Sequence, residues 1–347
     1  MMQKNKLGRT DLEVTDICLG TMTWGQQNTQ DEAFEQLDAA MEYGVNFIDT
    51  AEMYSVPTQA PTYGATETIL GNWFKARGGR DNVVLATKIA GPGDWLPHIR
   101  NAQTRFDRRN IEEALNGSLK RLQTDYIDVY QLHWPDRNTN FFGRLGYRQN
   151  PDELITPIED TLAVLDDMVK AGKIRHIGVS NETPWGVMKF VHLAETRGWP
   201  RLVSIQNPYS LLNRSYEVGL AEVSHREQVG LLAYSPLGFG MLSGKYLNNQ
   251  WPEAARLTLF KQFSRYTNPQ SYAATEQYLA IAEKHGLDPC QMALAFVRQQ
   301  PFVTSTIIGA TSMEQLRTNL DSSKVELSRE ILKELEAVHV EHPSPCP

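Results

Sequence analysis

From residue 14 almost to the last residues, the chain alternates short aliphatic or β-branched runs with longer segments whose apolar residues recur every three or four positions. Residues three and four apart share a helix face, whereas short apolar runs bounded by turn residues suit buried strands. Strict succession of the two implies parallel strands joined by crossover helices. Eight runs have strand size: Ile17 to Leu19, Asn46 to Asp49, Val83 to Lys88, Ile127 to His133, Ile174 to Ser180, Val203 to Gln206, Leu231 to Tyr234 and Thr306 to Gly309. Ala33, Leu37, Ala40 and Met41, or Ile111, Leu115 and Leu119, mark helices between them. The expected fold is α/β, a closed (β/α)8 TIM barrel with the helices as its outer ring.

No boundary interrupts the series, so residues 1–347 are expected to form a single barrel domain. Leu7 to Val14, with Arg9-Thr10-Asp11 as its turn, reads as a β-hairpin that closes the barrel floor. Ser328 to Val338 reads as a capped amphipathic helix carrying Ile331, Leu332, Leu335 and Val338. The stretches Ser55 to Ala65 and Pro135 to Ile155 each follow a strand end and are expected as long βα loops over the active-site face. Ser344 to Pro347 is expected to fray.

The formal net charge of −7 and the lack of a basic run argue against nucleic acid as a partner. No apolar stretch approaches the roughly 20 residues that span a bilayer. The first residues lead into Leu7-Gly8-Arg9 without an apolar signal segment, and Cys18, Cys290 and Cys346 are odd in number and far apart. A reducing, cytoplasmic setting is expected, with neither a disulfide framework nor a thiolate metal cage.

In such a barrel the reactive groups stand at the C-terminal ends of the strands. Asp49 ends the second run, Tyr54 follows in its loop, Lys88 ends the third and His133 the fourth. Taken singly, these have ordinary explanations as an N-cap, a surface aromatic, a snorkelling stem and a core imidazole. Together they favour a site, because each titratable group stands where an apolar run stops. A phenol has an ordinary pKa of about 10. An ammonium beside it favours the phenolate, a carboxylate keeps that ammonium charged and aimed, and an imidazole donor orients a carbonyl oxygen as negative charge develops there.

Asp49-Thr50-Ala51-Glu52-Met53-Tyr54 resembles the aldo-keto reductase signature Asp-x-Ala-x-x-Tyr, with the lysine and histidine following at the matching strand ends. Leu19-Gly20-Thr21-Met22, Leu119 to Asp128 and Ile174 to Asn181 extend the resemblance along the whole chain. It implies a catalytic tetrad of Asp49, Tyr54, Lys88 and His133, and NADPH-dependent reduction of an aldehyde or ketone with Tyr54 as general acid.

The segment Gly238 to Lys245 is rich in glycine but matches neither nucleotide fingerprint, since Ser243, Phe239 and Tyr246 occupy required positions. A barrel phosphate site from the seventh and eighth loops is the better expectation. The resemblance implies that Ser180, Asn181 and Gln206 hold the nicotinamide carboxamide and that Tyr234 stacks on its ring. It places Thr21 and Met22 against the cofactor, Ser235, Pro236, Leu237, Gly240 and Lys245 along the pyrophosphate, and Gly309, Thr311, Gln315 and Asn319 at the adenosine end. Lys245, Arg256 and Arg317 are the cationic candidates for the 2'-phosphate of NADP. Thr318 stands where many members carry glutamate.

The family usually passes quickly from the tyrosine to a glycine and glutamate, whereas Ser55 to Ala65 intervenes here and contains a second Tyr-Gly pair, Tyr63-Gly64. Only Tyr54 has the signature offset from Asp49. Trp24, Met53, Trp95, Trp134, Phe141, Phe142 and Tyr147 follow strand ends or lie in the long loops, so an aromatic pocket for a carbonyl compound with an apolar body is expected, with loop packing as the alternative for each. A rival expectation is an NADP-binding sensor like the potassium-channel β subunits, which share this barrel. His133 favours an enzyme, since that lineage commonly carries asparagine there. A phosphate-sugar lyase would explain Lys88 but not the Asp49 to Tyr54 spacing.

Overall fold

The computed structural model describes residues 2–347. Two short strands, β1 (Lys4–Lys6) and β2 (Glu13–Thr15), pair antiparallel. Eight more form a closed parallel barrel in the order β10-β3-β4-β5-β6-β7-β8-β9: β3 (Ile17–Gly20), β4 (Phe47–Asp49), β5 (Val84–Ile89), β6 (Ile127–Leu132), β7 (Ile174–Ser180), β8 (Leu202–Pro208), β9 (Gly230–Tyr234) and β10 (Val303–Ile308). The eight expected runs are all present, with ends shifted by a few residues. The largest shift is in β10, which begins at Val303 rather than Thr306. Its buried Ser305 reads as polar, but the hydroxyl donates to the Thr15 carbonyl at 2.7 Å, which removes the penalty for burying it.

The outer ring comprises α1 (Gln30–Tyr43), α2 (Ala65–Arg77), α3 (Arg108–Leu122), α4 (Ile158–Lys170), α5 (Pro184–Arg197), α6 (Leu220–Glu227), the short α7 (Arg256–Leu259), α8 (Pro269–Lys284), α9 (Pro289–Arg298), α10 (Met313–Asp321) and α11 (Arg329–Glu341). Their starts are specified locally. Thr29 and Glu32 make a reciprocal capping box on α1, and Asp107, Thr183, Asn268, Asp288, Ser312 and Ser328 each cap a helix N-terminus with a side-chain oxygen.

Inside the barrel, Cys18, Phe47, Val84, Ala86, Val129, Leu232 and Ile307 pack into one apolar cluster that also contains Leu7 and Val14. The hairpin therefore does close the floor. Its first strand, Lys4–Lys6, precedes the expected span, the second, Glu13–Thr15, overlaps its end, and Leu7 and Val14 are buried beneath the barrel. Gly8, at φ +61°, approaches so closely that a Cβ would lie 2.8 Å from the Val203 Cα.

The Pro135 to Ile155 segment contains no helix or strand, and side-chain bonds such as Asn138 Nδ2 to the Arg148 carbonyl at 2.7 Å brace it. Ser344 to Pro347 does not fray. The Cys346 amide donates to the Leu212 carbonyl at 3.0 Å, Asn268 Nδ2 donates to the Pro345 carbonyl at 2.9 Å, and the Cys346 side chain is fully buried. A small apolar thiol filling a gap beside the barrel holds the segment down. Among the described residues no helix is long and apolar enough to cross a membrane.

Helices α2 and α3 cross at Gly71, where an added Cβ would overlap the Arg121 carbonyl oxygen. Alanine would gain about 1 kcal/mol of helix propensity, but forcing packed backbones apart costs about 1–3 kcal/mol or more. Gly71→Ala is expected to lower the urea midpoint followed by circular dichroism, whereas Gly309→Ala, whose methyl meets nothing within 4 Å, should leave it nearly unchanged. A raised midpoint for Gly71→Ala would contradict the close crossing.

Candidate active site

The pleat sets the site. Along β4 the inward positions run from Phe47 to Asp49, along β5 from Val84 through Ala86 to Lys88, and along β6 from Val129 to Gln131, so the interior changes from apolar to polar towards the C-terminal ends. The register pairs Asp49 with Ala86 and Lys88 with Gln131. Gly178 on β7 leaves room for this layer, since a Cβ there would lie 3.2 Å from Gln131 Cγ.

Lys88 has no exposed surface, and its three donor hydrogens have three partners: Asp49 Oδ2 at 2.6 Å, the Thr50 carbonyl at 2.8 Å and the Tyr54 hydroxyl at 3.3 Å. Asp49 Oδ1 accepts from Gln206 Nε2 at 2.8 Å and Gln131 Nε2 at 3.1 Å. His133 follows β6, and its ring meets Tyr54 edge-on with centroids 5.7 Å apart. The four residues expected from the sequence thus come together.

Burial opposes the charge on Lys88, yet Asp49 and Tyr54 hold its pKa above the ordinary lysine value. Burial likewise pushes the Tyr54 phenol up, and Lys88 counteracts this only in part. The expectation that the ammonium leaves the phenol closer to phenolate is therefore corrected: desolvation wins and Tyr54 stays protonated. His133 is pushed well below its usual value by burial and then by Lys88, so its ring is neutral at pH 7, and its buried Nδ1 has no protein partner.

A cavity of about 1320 Å³ opens above this layer, larger than the usual pocket for one small molecule of about 300–1,000 Å³. Tyr54, His133 and Asp49 line it; Lys88 lies beneath. Thr21 and Met22 enter from the end of β3, Ser180 and Asn181 from β7, Gln206 from β8 and Tyr234 from β9. Ser235, Pro236, Leu237, Gly240, Lys245 and Arg256 come from the loop after β9, and Gly309, Thr311, Gln315 and Asn319 from the β10 end and α10.

Many of these are held by one another. The Tyr234 hydroxyl donates to Asn181 Oδ1 at 2.6 Å, Asn181 Nδ2 to the His133 carbonyl at 2.9 Å, and Ser180 Oγ to the Gln206 carbonyl at 2.7 Å. Asn319 Nδ2 donates to the Gly309 carbonyl at 3.1 Å, and the Thr311 amide to Gln315 Oε1 at 3.0 Å. Lys245 and Arg256 are half-buried in the cavity wall and make none of the ion pairs found among the described residues. Such unpaired cations, with backbone and amide groups around them, suit a phosphorylated ligand. Arg317 is exposed on α10 and does not line the cavity, which corrects its candidacy.

Of the expected aromatics, Trp95 and Phe142 line the cavity with Met53. Trp134 lies behind, stacked on Trp95 at 5.4 Å and tilted against His133 at 5.0 Å, and Phe141 packs edge-on to Phe142. Trp24 is buried elsewhere with its Nε1 donating to Gln36, and Tyr147 is exposed. Tyr63 does not enter the cavity either, since its hydroxyl donates to Glu52 Oε2 at 3.1 Å. Missed residues include Gln131, Val56, Pro57, Arg265 and Cys290, together with Pro345 and Pro347 of the anchored tail.

Glu52 was also overlooked although it lies within the signature. Fully buried, it accepts from both terminal nitrogens of Arg100 at 2.7 and 2.8 Å and from the Ala90 amide at 2.6 Å. It thereby ties the segment carrying Tyr54 to the end of the strand carrying Lys88.

Comparison with known proteins agrees with this geometry. The model of the "Aldo/keto reductase family" matches residues 16–340. The chain is 54% identical to Protein tas of Escherichia coli K12 over 346 residues, covering all of both chains. It is 35% identical to the uncharacterized oxidoreductase YrpG of Bacillus subtilis over 342 residues, 96% of this chain and 95% of the relative. A Schizosaccharomyces pombe protein provisionally named voltage-gated potassium channel subunit beta is 31% identical over 344 residues, 96% of this chain and 92% of that protein. With a family match across nearly its whole length and an eight-stranded barrel, the chain belongs to the aldo/keto reductase family of oxidoreductases.

Proposed function

We propose that this protein reduces an aldehyde or ketone to an alcohol with NADPH, with Tyr54 as the proton donor. The observation that carries the proposal is the buried Lys88 ammonium, whose three partners are the Asp49 carboxylate, the Thr50 carbonyl and the Tyr54 hydroxyl. Bound NADPH supplies the hydride. Tyr54 then gives its proton to the carbonyl oxygen, and the phenolate left behind is stabilised by Lys88, whose charge Asp49 maintains. His133, neutral beside Tyr54, donates a hydrogen bond that orients the carbonyl and meets the charge growing on its oxygen. Ser180, Asn181, Gln206 and Tyr234 are assigned to the nicotinamide end, Lys245 and Arg256 to the 2'-phosphate, and Gly309, Thr311, Gln315 and Asn319 to the adenosine. Three unpaired thiols suit a reducing compartment, and we place this barrel, a single domain, in the cytoplasm.

The 31% identical relative named for a channel subunit favours a second reading, a regulatory protein that binds NADP with little turnover. One experiment separates the two: NADPH oxidation with a panel of carbonyl compounds, for wild type and Tyr54→Phe, with nucleotide binding followed by fluorescence. Tyr54→Phe should bind NADPH normally and lose about 10²- to 10⁴-fold in kcat, the range for removal of a general acid. Binding without turnover by wild type would favour the regulatory reading.

The shifted groups fix the pH profile. Because the Tyr54 and Lys88 pKa values are raised, both keep their protons as pH rises through their ordinary ranges; because that of His133 is lowered, it stays neutral as pH falls through about 6.5. The reductive kcat/KM should therefore be flat from about pH 6.5 to about pH 10. A break near the ordinary histidine value would contradict the assignment. Lys245→Ala and Arg256→Ala should each weaken NADPH binding by about 10- to 100-fold, the worth of a hydrogen bond to a charged group, while NADH binding changes much less. Equal losses for both nucleotides would remove these residues from the 2'-phosphate.

A further inference from the structure

Among the described residues, every arginine that is not exposed lies within 4.0 Å of a carboxylate except two, Arg256 and Arg265, and both line the main cavity. Taking a guanidinium partly out of water without a counter-charge is unfavourable, and a chain with a net charge of −7 has carboxylates to spare. No aspartate or glutamate pairs with either guanidinium, which leaves both able to take an anion that enters the cavity.

The two positions are not equivalent. Arg256 belongs with Lys245, which feels its charge, and reaches Met22 Sδ at 3.8 Å. Arg265 stands apart. Its Nε lies 2.9 Å, and the Pro347 carbonyl oxygen 3.4 Å, from where a Cβ on Gly143 would be, so it stands between the tip of the loop that follows β6 and the anchored tail. Its charge also acts on the Tyr234 phenol, the group bonded to Asn181 at the end of β9. Phe142, next to Gly143, and Trp95 both line the cavity and pack on Trp134, which belongs with Met53 and Tyr54 to one apolar cluster. A molecule with its carbonyl at Tyr54 and an apolar middle along these side chains would present its far end to the guanidinium.

We propose that Arg265 is a specificity-determining residue that binds a carboxylate on the substrate, so that the preferred substrates are aldehydes or ketones with an apolar body and a carboxylate remote from the carbonyl. The inference rests on the reductase reading given above. A guanidinium in a confined, partly dry cleft draws anions in and can bind a carboxylate through two parallel hydrogen bonds. Lysine at this position supplies the charge without that fork.

The test compares 4-formylbenzoate with its uncharged methyl ester as substrates for wild type, Arg265→Ala and Arg265→Lys. Wild type should prefer the carboxylate, and in Arg265→Ala that preference should fall by about 10- to 100-fold, mainly through KM, with Arg265→Lys intermediate. Equal use of the two aldehydes by wild type, or an unchanged preference in Arg265→Ala, would overturn the proposal. So would a comparable loss of NADPH affinity in Arg265→Ala, which would assign the arginine to the cofactor. If wild type binds NADPH but reduces neither aldehyde, the reductase reading fails by itself. Calorimetric binding of 4-formylbenzoate to the NADP-loaded proteins then decides: weaker binding to Arg265→Ala supports the carboxylate site, and equal binding overturns it.

Discussion

Lys88 holds its ammonium inside the barrel with no exposed surface, where an ion without partners would be disfavoured by several kcal/mol. Its surroundings answer that demand. Asp49 supplies the counter-charge, Gln131 and Gln206 occupy the carboxylate's other oxygen, and the Thr50 carbonyl and Tyr54 hydroxyl take the remaining ammonium hydrogens. With Lys88 itself these groups come from four strands and one loop, so the pair forms only when the barrel closes in the observed register. Stability and the proposed proton transfer draw on the same contacts, and the apolar layer beneath, closed from below by Leu7 and Val14, keeps the polar layer at the mouth.

A second buried pair serves the first. Glu52 and Arg100 brace the loop between β4 and α2 against the end of β5, which sets where Tyr54 can stand relative to Lys88. Val56 and Pro57, in the insertion after Tyr54, line the cavity. The result is a phenol kept protonated by burial next to an ammonium that favours its anion: a group that holds its proton at rest and is stabilised after giving it up.

The barrel was legible because its signal is periodic: eight apolar runs separated by helix-spaced segments admit few arrangements, and N-caps such as Ser328 stand in the sequence beside the residues they cap. Asp49, Lys88 and His133 were legible as titratable groups at the ends of apolar runs, and Tyr54 through its offset from Asp49. Gln131 and Glu52 were not, since a glutamine within a strand and a glutamate within a loop acquire their roles only from partners on other elements. The same holds for the tail, where burial of Cys346 depends on Leu212 and Asn268, distant in sequence. Trp24 and Tyr147 misled because a position near a strand end does not determine where an aromatic ring turns: one packs inward against Gln36 and the other remains on the surface. Net pKa direction at Tyr54 was also illegible, because desolvation depends on burial that a sequence does not display.

The most direct test is a crystal structure of the protein with NADP bound. The nicotinamide ring is expected against Tyr234, its carboxamide among Ser180, Asn181 and Gln206, and its reactive face open towards the Tyr54 hydroxyl and His133. A nucleotide seated outside the main cavity, or one whose ring turns its reactive face away from Tyr54, would contradict this placement.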